Sequence, residues 1–354
     1  MNLDRVEKIA DAVLYEGYML YPYRHSSVKN QQRWNFGVLY PPDYCEEQVG
    51  WDRCSMQTEC LMNADSSARI EVKVRFLQIV QRSVGKLVSS PAEETTEFDE
   101  DTTEFVDRLE VAGRVYQAWQ EAVERAVVLD NLDPRSLDST RSTFSFPEGK
   151  TAEYLMDEHG LTVGVIVRKW DALDGAVEIN SEICRGGIVK LRLQVHNLTR
   201  GVPQETHGSH RRDAILLDSL VSAHSILSSD NGEFISLLEP PACYKDLVAR
   251  CENVGTWPVL AGGDASCVLS SPIILYDQPQ IAPESAGNLF DSTEIDEILS
   301  LRILTLTDAE KQEMRQSDDR TRGILERTEN MPEEQFMKLH GVLRGLTTVP
   351  EELP

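Results

Sequence analysis

The chain reads as an α+β protein, with two β-rich units joined by an acidic connector and an amphipathic helix, and a helical region at the C-terminus. Three observations predict this. Ile70, Val72, Val74 and Phe76 alternate with Glu71, Lys73 and Arg75, and Leu191, Leu193 and Val195 alternate with Lys190, Arg192, Gln194 and His196. That two-residue period belongs to half-buried strands. Glycine and proline clusters punctuate the chain between such runs. Beyond residue 291 the apolar spacing changes to the three-and-four rhythm of helices.

Taken in order, Val6, Ile9, Ala10 and Val13 predict a short helix over 4–16. An aromatic stretch follows, GYMLYPYRHSSVKNQQRWNFGVLYPPDY, with a strand expected at 34–40 and a stop at Pro41-Pro42. Residues 55–62 and 69–80 read as two strands. From 91 to 104 the run PAEETTEFDEDTTE is too polar to bury itself and reads as a linker. Phe105, Leu109, Ala112, Tyr116, Trp119, Val123 and Ala126 recur at helical spacing and predict an amphipathic helix over 105–128. Residues 130–150 read as a second connector. Val163, Val165 and Val167 predict a strand, with Asp174-Gly175 as a hairpin turn, and Gly186-Gly187 breaks the chain before the strand at 188–197. Residues 211–227 fit either helix or strand.

The most detailed stretch runs from Leu269 to Leu304. Ile273-Ile274-Leu275-Tyr276, bounded by Pro272 and Pro279, reads as one buried strand. Asp291 and Glu294 form a capping-box pair before a helix whose face carries Ile295, Ile298, Leu299 and Ile303. Thr307 and Glu310 repeat the capping signal, and a last helix is expected from Pro332 to Gly345. The expected division is therefore 1–90, β-rich; 91–150, linker and helix; 151–290, β-rich; 291–346, helical; and 347–354, a disordered tail.

The 35 basic and 59 acidic side chains give a formal charge of −24. Nucleic acid and anionic membrane surfaces require a basic footprint and are not the expected partners. No apolar run approaches the roughly 20 residues that span a bilayer. The N-terminus shows no signal-peptide pattern, so the expected location is the cytoplasm and membrane insertion is not expected. The seven cysteines read as mostly free thiols.

Catalytic motifs are sparse. GxSxG, HExxH and GxGxxG are missing. Gly149-Lys150-Thr151 resembles the end of a phosphate loop, but Phe144 occupies the place of its first glycine. His196, His207 and His210 form the candidate metal set, without a recognised ligand spacing. Capping accounts for the carboxylates of the 291–297 helix start, which leaves Asp277 and Glu284 without an assigned role. Tyr21, Tyr23, Arg24 and Trp34, with Tyr276, Asp277 and Glu284, are the candidate binding residues.

Several segments carry a resemblance: GYMLYPYRHSSVKNQQRWNFGVLYP, SMQTECL, GEFISLLEPP, SSPIILYDQPQIAPESAGNLFDSTEIDEILSLRILTLTDAEK and LHGVLR. Together they resemble an uncharacterised family encoded in gene clusters of high-affinity, oxygen-tolerant nickel–iron hydrogenases of soil bacteria. The resemblance implies a role beside hydrogenase, in assembly, maturation or attachment, with a hydrogenase subunit or maturation protein as partner. It supplies no catalytic residues. The chain lacks the paired CxxC motifs of a hydrogenase large subunit and the cysteine density of an iron–sulfur subunit. The expectation is a non-catalytic accessory protein without a cofactor. Its rivals are a metal-dependent enzyme using the His207/His210 region and a structural binding module unrelated to hydrogenase.

Overall fold

In this computed structural model the described residues are 3–16, 18, 33–34, 36–47, 50, 52–88, 100–200, 209–280, 296–317, 319–332 and 334. The chain divides into two compact units, Met1–Tyr18 with Gln32–Gln280, and Met19–Gln31 with Ile281–Pro354. Strands of both stretches expected to be β-rich enter one large antiparallel sheet in the first unit. No helix among the described residues is long and apolar enough to cross a membrane.

The first unit opens with helix α1 (Leu3–Leu14), whose Val6, Ile9, Ala10 and Val13 are buried as their spacing predicts. A short helix, α2 (Pro42–Glu47), precedes the longest strand, β1 (Ser55–Leu87). The two strands expected at 55–62 and 69–80 are thus one. β1 stays continuous because residues 65–68 are extruded as a bulge opposite Asn231. The Asp65 carboxylate accepts from the amides of Ser67 (2.7 Å) and Ala68 (3.1 Å) and shapes that bulge.

The 105–128 span is not helical. It forms β2 (Thr103–Val106), β3 (Arg108–Val111), β4 (Arg114–Gln117) and most of β5 (Trp119–Leu132). Ala112 and Gly113 have φ of 48° and 73°, and they close a two-residue turn that pairs Leu109 with Tyr116. A helix cannot run through two left-handed residues, whereas this is the backbone a tight hairpin needs. The valines at 111, 115, 123, 127 and 128 also suit a pleated surface.

The second connector contains β6 (Thr140–Phe146), after which come β7 (Gly149–Met156), β8 (Thr162–Trp170), β9 (Leu173–Ile183) and β10 (Ile188–Asn197). Asp174 and Gly175 lie inside β9 and not in a turn; the break between β8 and β9 falls at Asp171-Ala172. Gly175 is required by a close approach, since a Cβ there would meet the Phe144 ring at 2.2 Å and the His196 carbonyl at 2.8 Å. Helix α3 (Ser209–Ile215) leads to β11 (Val221–Ile235), which resolves the ambiguity over 211–227 into one element of each kind. The short α4 (Lys245–Val248), β12 (Trp257–Ala261) and β13 (Cys267–Ser271) complete the unit. No regular strand forms at 34–40, where Trp34 and Gly37 have positive φ and Leu39 makes only isolated bridges, to Leu220 and Arg53.

β1 is the spine of the sheet. β10, β5 and β2 pair along one of its edges, and β11 and β8 along the other. The sheet then continues from β10 to β9 and β6, and from β11 to β13 and β12. The main core joins Ile70, Val72, Val74 and Phe76 of β1 to Leu191, Leu193 and Val195 of β10, with Val177 and Ile179 of β9. The other face is covered by α1 over Ile226, Val259 and Leu269. Ion pairs latch that helix to β1, Lys73 to Glu7 (2.5 Å) and Arg75 to Asp11 (2.6 Å).

In the second unit, α5 (Asp296–Leu304) buries Leu299 and Ile303, and α6 (Asp308–Gln316) carries the expected Thr307/Glu310 capping box. α7 (Asp319–Glu329) packs against both. Arg315 donates two hydrogen bonds to the Glu329 carboxylate (3.0 and 2.8 Å) and joins α6 to α7. The acidic run 91–99, Asp291, Glu294, the helix expected from Pro332 to Gly345 apart from Pro332 and Glu334, and the 347–354 tail lie outside the described residues.

Candidate binding site

The stretch from Pro272 to Gln278 follows β13, turns back, and closes the outer edge of β12. Ile273 to Tyr276 is not a strand. Its side chains still alternate: Ile273 and Leu275 pack on the cluster beneath α1, while Ile274 and Tyr276 are 73% and 87% exposed. The apolar run therefore looks like a buried strand in sequence although half of it faces water.

Two side chains and one backbone bond, not a continuous ladder, fix this segment. The Leu260 amide on β12 donates to Asp277 Oδ1 at 2.8 Å, and the Gln278 amide donates to the Leu260 carbonyl at 2.7 Å. Ser236 Oγ donates to Asp277 Oδ2. Gln278 Oε1 accepts from the Gly263 amide (2.6 Å), and its Nε2 donates to the Asp264 carbonyl (2.7 Å). Backbone directions alternate along a strand, so Pro258 shares the free side with Leu260 and brings no N–H to it. The sheet edge is closed by one carboxylate, one backbone amide and one proline.

Asp277, which capping did not explain in sequence, thus holds the segment that presents Ile274 and Tyr276. Trp257, 45% exposed, begins β12 opposite Ser271. Neither Ile274 nor Trp257 stood out in the sequence; the alternation over 273–276 was the available signal, and it reads equally well as a core strand.

Trp34 is buried and serves packing. Its ring meets Tyr18 edge to face at 5.2 Å, and the Arg33 guanidinium lies 4.8 Å from it and 3.6 Å from the Trp119 ring. Arg33 donates to the carbonyls of Tyr18 (3.0 Å) and Gln120 (2.8 Å), and Arg212 to those of Arg33 and Trp34 (both 3.1 Å). Tyr21, Tyr23, Arg24 and Glu284 lie outside the described residues, as do His207 and the side chain of His210.

His196 is on β10, with Nε2 4.0 Å from Glu178 Oε1. Burial lowers its pKa, Glu178 acts against that, and Arg141 adds to it. His224 on β11 is fully buried, with Nδ1 2.9 Å from the Ser222 carbonyl. Burial brings its pKa down to about 4. Among the described residues no three His, Cys, Asp or Glu side chains converge as a metal cluster. The seven cysteines are free, and burial pushes the thiols of Cys45 and Cys251 up to about 11. Such thiols are protonated at neutral pH and are poor nucleophiles.

The buried charges serve structure. Glu59 has a fully buried side chain, paired with Lys190 (2.6 Å) and Arg192 (2.5 Å), and it accepts from the Glu252 amide (2.7 Å). Burial alone would raise its pKa, but these partners outweigh it and hold the carboxyl below its ordinary range. The group clamps the chain after α4 onto β1 and β10. What the described geometry offers is two exposed apolar side chains, Ile274 and Tyr276, on an anchored segment.

No protein-family model matches the chain, and no curated protein matches its sequence.

Proposed function

We propose that the chain is a non-catalytic accessory protein that acts by binding another protein through the 272–278 segment. One observation carries the reading: Ile274 and Tyr276 are held far out of the surface by a segment anchored at Asp277 and Gln278. Large apolar side chains on a pre-ordered backbone lose little entropy on binding, which is what a contact surface requires. The resemblance to the hydrogenase-cluster family directs the choice of partner to a hydrogenase subunit or a maturation protein.

The test is a native pull-down with a tagged full-length chain from cells expressing hydrogenase. The expected result is recovery of a hydrogenase subunit with the native chain and its loss with an Ile274→Ala/Tyr276→Ala double variant. Failure of the native chain to recover a hydrogenase component would overturn the hydrogenase assignment. Equal recovery by the double variant would overturn the role of this segment.

A further inference from the structure

The opposite end of the sheet is left open. β6 pairs only with β9 among the described residues, from Thr140 opposite Ile179 to Phe146 opposite Leu173. The direction of its backbone groups follows from its neighbours. The Leu198 amide donates to the Asp174 carbonyl (2.9 Å), and the Ser181 amide donates to the Leu137 carbonyl (2.9 Å). Even-numbered residues of β9 therefore face β10 and odd-numbered ones face β6. On β6, residues 140, 142, 144 and 146 bond β9, and the N–H and C=O groups of Arg141, Thr143 and Ser145 point to the free side.

Among the described residues most of the usual edge protections are missing from β6. It contains no proline and no bulge, and among the described residues no group caps its free N–H and C=O as the Asp277 carboxylate and the Gln278 amide cap Leu260. Its one charged side chain, Arg141, is paired with Glu178 on the neighbouring β9. The core is also incomplete here. Phe144 and Phe146 of β6, and Val127, Leu129 and Leu132 of β5, lie against the main core while only partly buried. The Arg125 guanidinium, 4.9 Å from the Phe146 ring, reaches across from β5. The outward chemistry is acidic: Asp138 is exposed just before β6, Asp174 is exposed opposite Ser145, and Glu178 stands opposite Arg141.

We propose that the free edge of β6 accepts an extended segment of a partner protein, adding a strand whose inward side chains are apolar and whose outward side chains are basic. The backbone of Arg141, Thr143 and Ser145 supplies the ladder, the half-buried rings of Phe144 and Phe146 receive the apolar side chains, and Asp138 and Asp174 select the basic ones. This is strand addition, in which the ladder gives affinity and alternate side chains give specificity. The inference stands apart from the hydrogenase reading, because it concerns another edge and is tested with a probe peptide.

The probe is a synthetic peptide alternating valine and lysine, compared with a scrambled peptide of the same composition, each titrated into the full-length chain. The alternating peptide is expected to bind, more weakly as salt rises, with the scramble about tenfold weaker or worse. Thr143→Pro removes one free-edge N–H and is expected to weaken binding about tenfold with the melting temperature kept. Amide hydrogen exchange on the native chain guards against a variant that misfolds. Arg141, Thr143 and Ser145 amides should exchange fast in the free protein and slow on adding the peptide, with the Leu260 amide unchanged. Equal binding of the scramble, or no protection at these three amides, would overturn the proposal. Protection that rises with protein concentration in the absence of peptide would overturn it in favour of a second copy of the chain.

Discussion

Two edges of the large sheet, β12 and β6, solve one physical problem differently. At β12 the outward N–H and C=O of Leu260 are taken up within the chain by the Asp277 carboxylate and the Gln278 amide, and Pro258 contributes no N–H. At β6 the outward groups of Arg141, Thr143 and Ser145 are left without such partners among the described residues. An unpaired edge is a template for another chain, and folds that keep one intact usually have a use for it. The closed edge displays apolar side chains above a finished ladder, while the open edge offers the ladder itself. The first suits recognition by shape and the second recognition by backbone.

The comparison breaks most severely if the core beneath β6 is removed. Phe76 is fully buried and lies 5.7 Å from the Phe144 ring and 5.8 Å from the Phe146 ring. Phe76→Ala is expected to cost about 3–5 kcal/mol. Chemical denaturation would report the loss, and hydrogen exchange would locate it first in β6 and β9, ahead of β12 and β13.

The two described sheet histidines sharpen the contrast by their pH dependence. His224, near the closed end, is neutral in the fold with a pKa of about 4, against 6.5 unfolded. Burial dominates; the Ser222 carbonyl opposes it, Arg75 assists it and Glu124 opposes it. The unfolded chain binds the proton more readily, so stability is intact above pH 6.5 and falls as pH drops from 6.5 to 4. The expected loss over that window is about 3 kcal/mol, and a His224→Phe variant should lack that part of the slope. His196, near the open end, has the same sign of shift, and His196→Phe should change the slope less.

Next in size is the cap itself. Asp277→Ala leaves the Leu260 amide and Ser236 hydroxyl without their acceptor and is expected to cost about 1–3 kcal/mol. Asp277→Asn keeps an acceptor for the amide and should cost less. The Leu260 amide should exchange faster in the alanine variant, and that variant should lose part of the partner binding assigned to Tyr276. Unchanged exchange at Leu260 would mean that the edge is not closed by this carboxylate.

How much of this was legible in sequence depended on range. Val6, Ile9, Ala10 and Val13, the alternation of 70–76 and the Thr307/Glu310 box are local patterns, and each forms the element it predicts. The 105–128 span defeated the same method because strand side chains were spaced by chance like a helical stripe. Ala112-Gly113, the turn that splits it, was the overlooked local signal. Gly175 gave a turn signal for a reason no local rule contains, the approach of Phe144 from another strand. At the candidate site, Asp277 was legible as a carboxylate lacking a capping role, but its partners Leu260 and Ser236 lie 17 and 41 positions away. The open edge was illegible altogether, since whether a strand has a neighbour is a property of topology and not of its residues.

The smallest expected effect on stability is the most informative about the open edge. Arg141 pairs with Glu178, but the Arg141 side chain is half exposed, and an exposed pair contributes about 0–1 kcal/mol. Arg141→Ala should therefore leave the melting temperature nearly unchanged. It should also release the Glu178 carboxylate beside β6 and remove a cation that repels a basic strand, while the backbone N–H and C=O of residue 141 remain. Binding of the alternating valine–lysine peptide is then expected to tighten and to become more sensitive to salt, as electrostatic attraction between exposed charges requires. A peptide recognised by hydrophobic contact alone would bind the variant and the native chain equally, and that outcome would remove the acidic rim from the description of the edge.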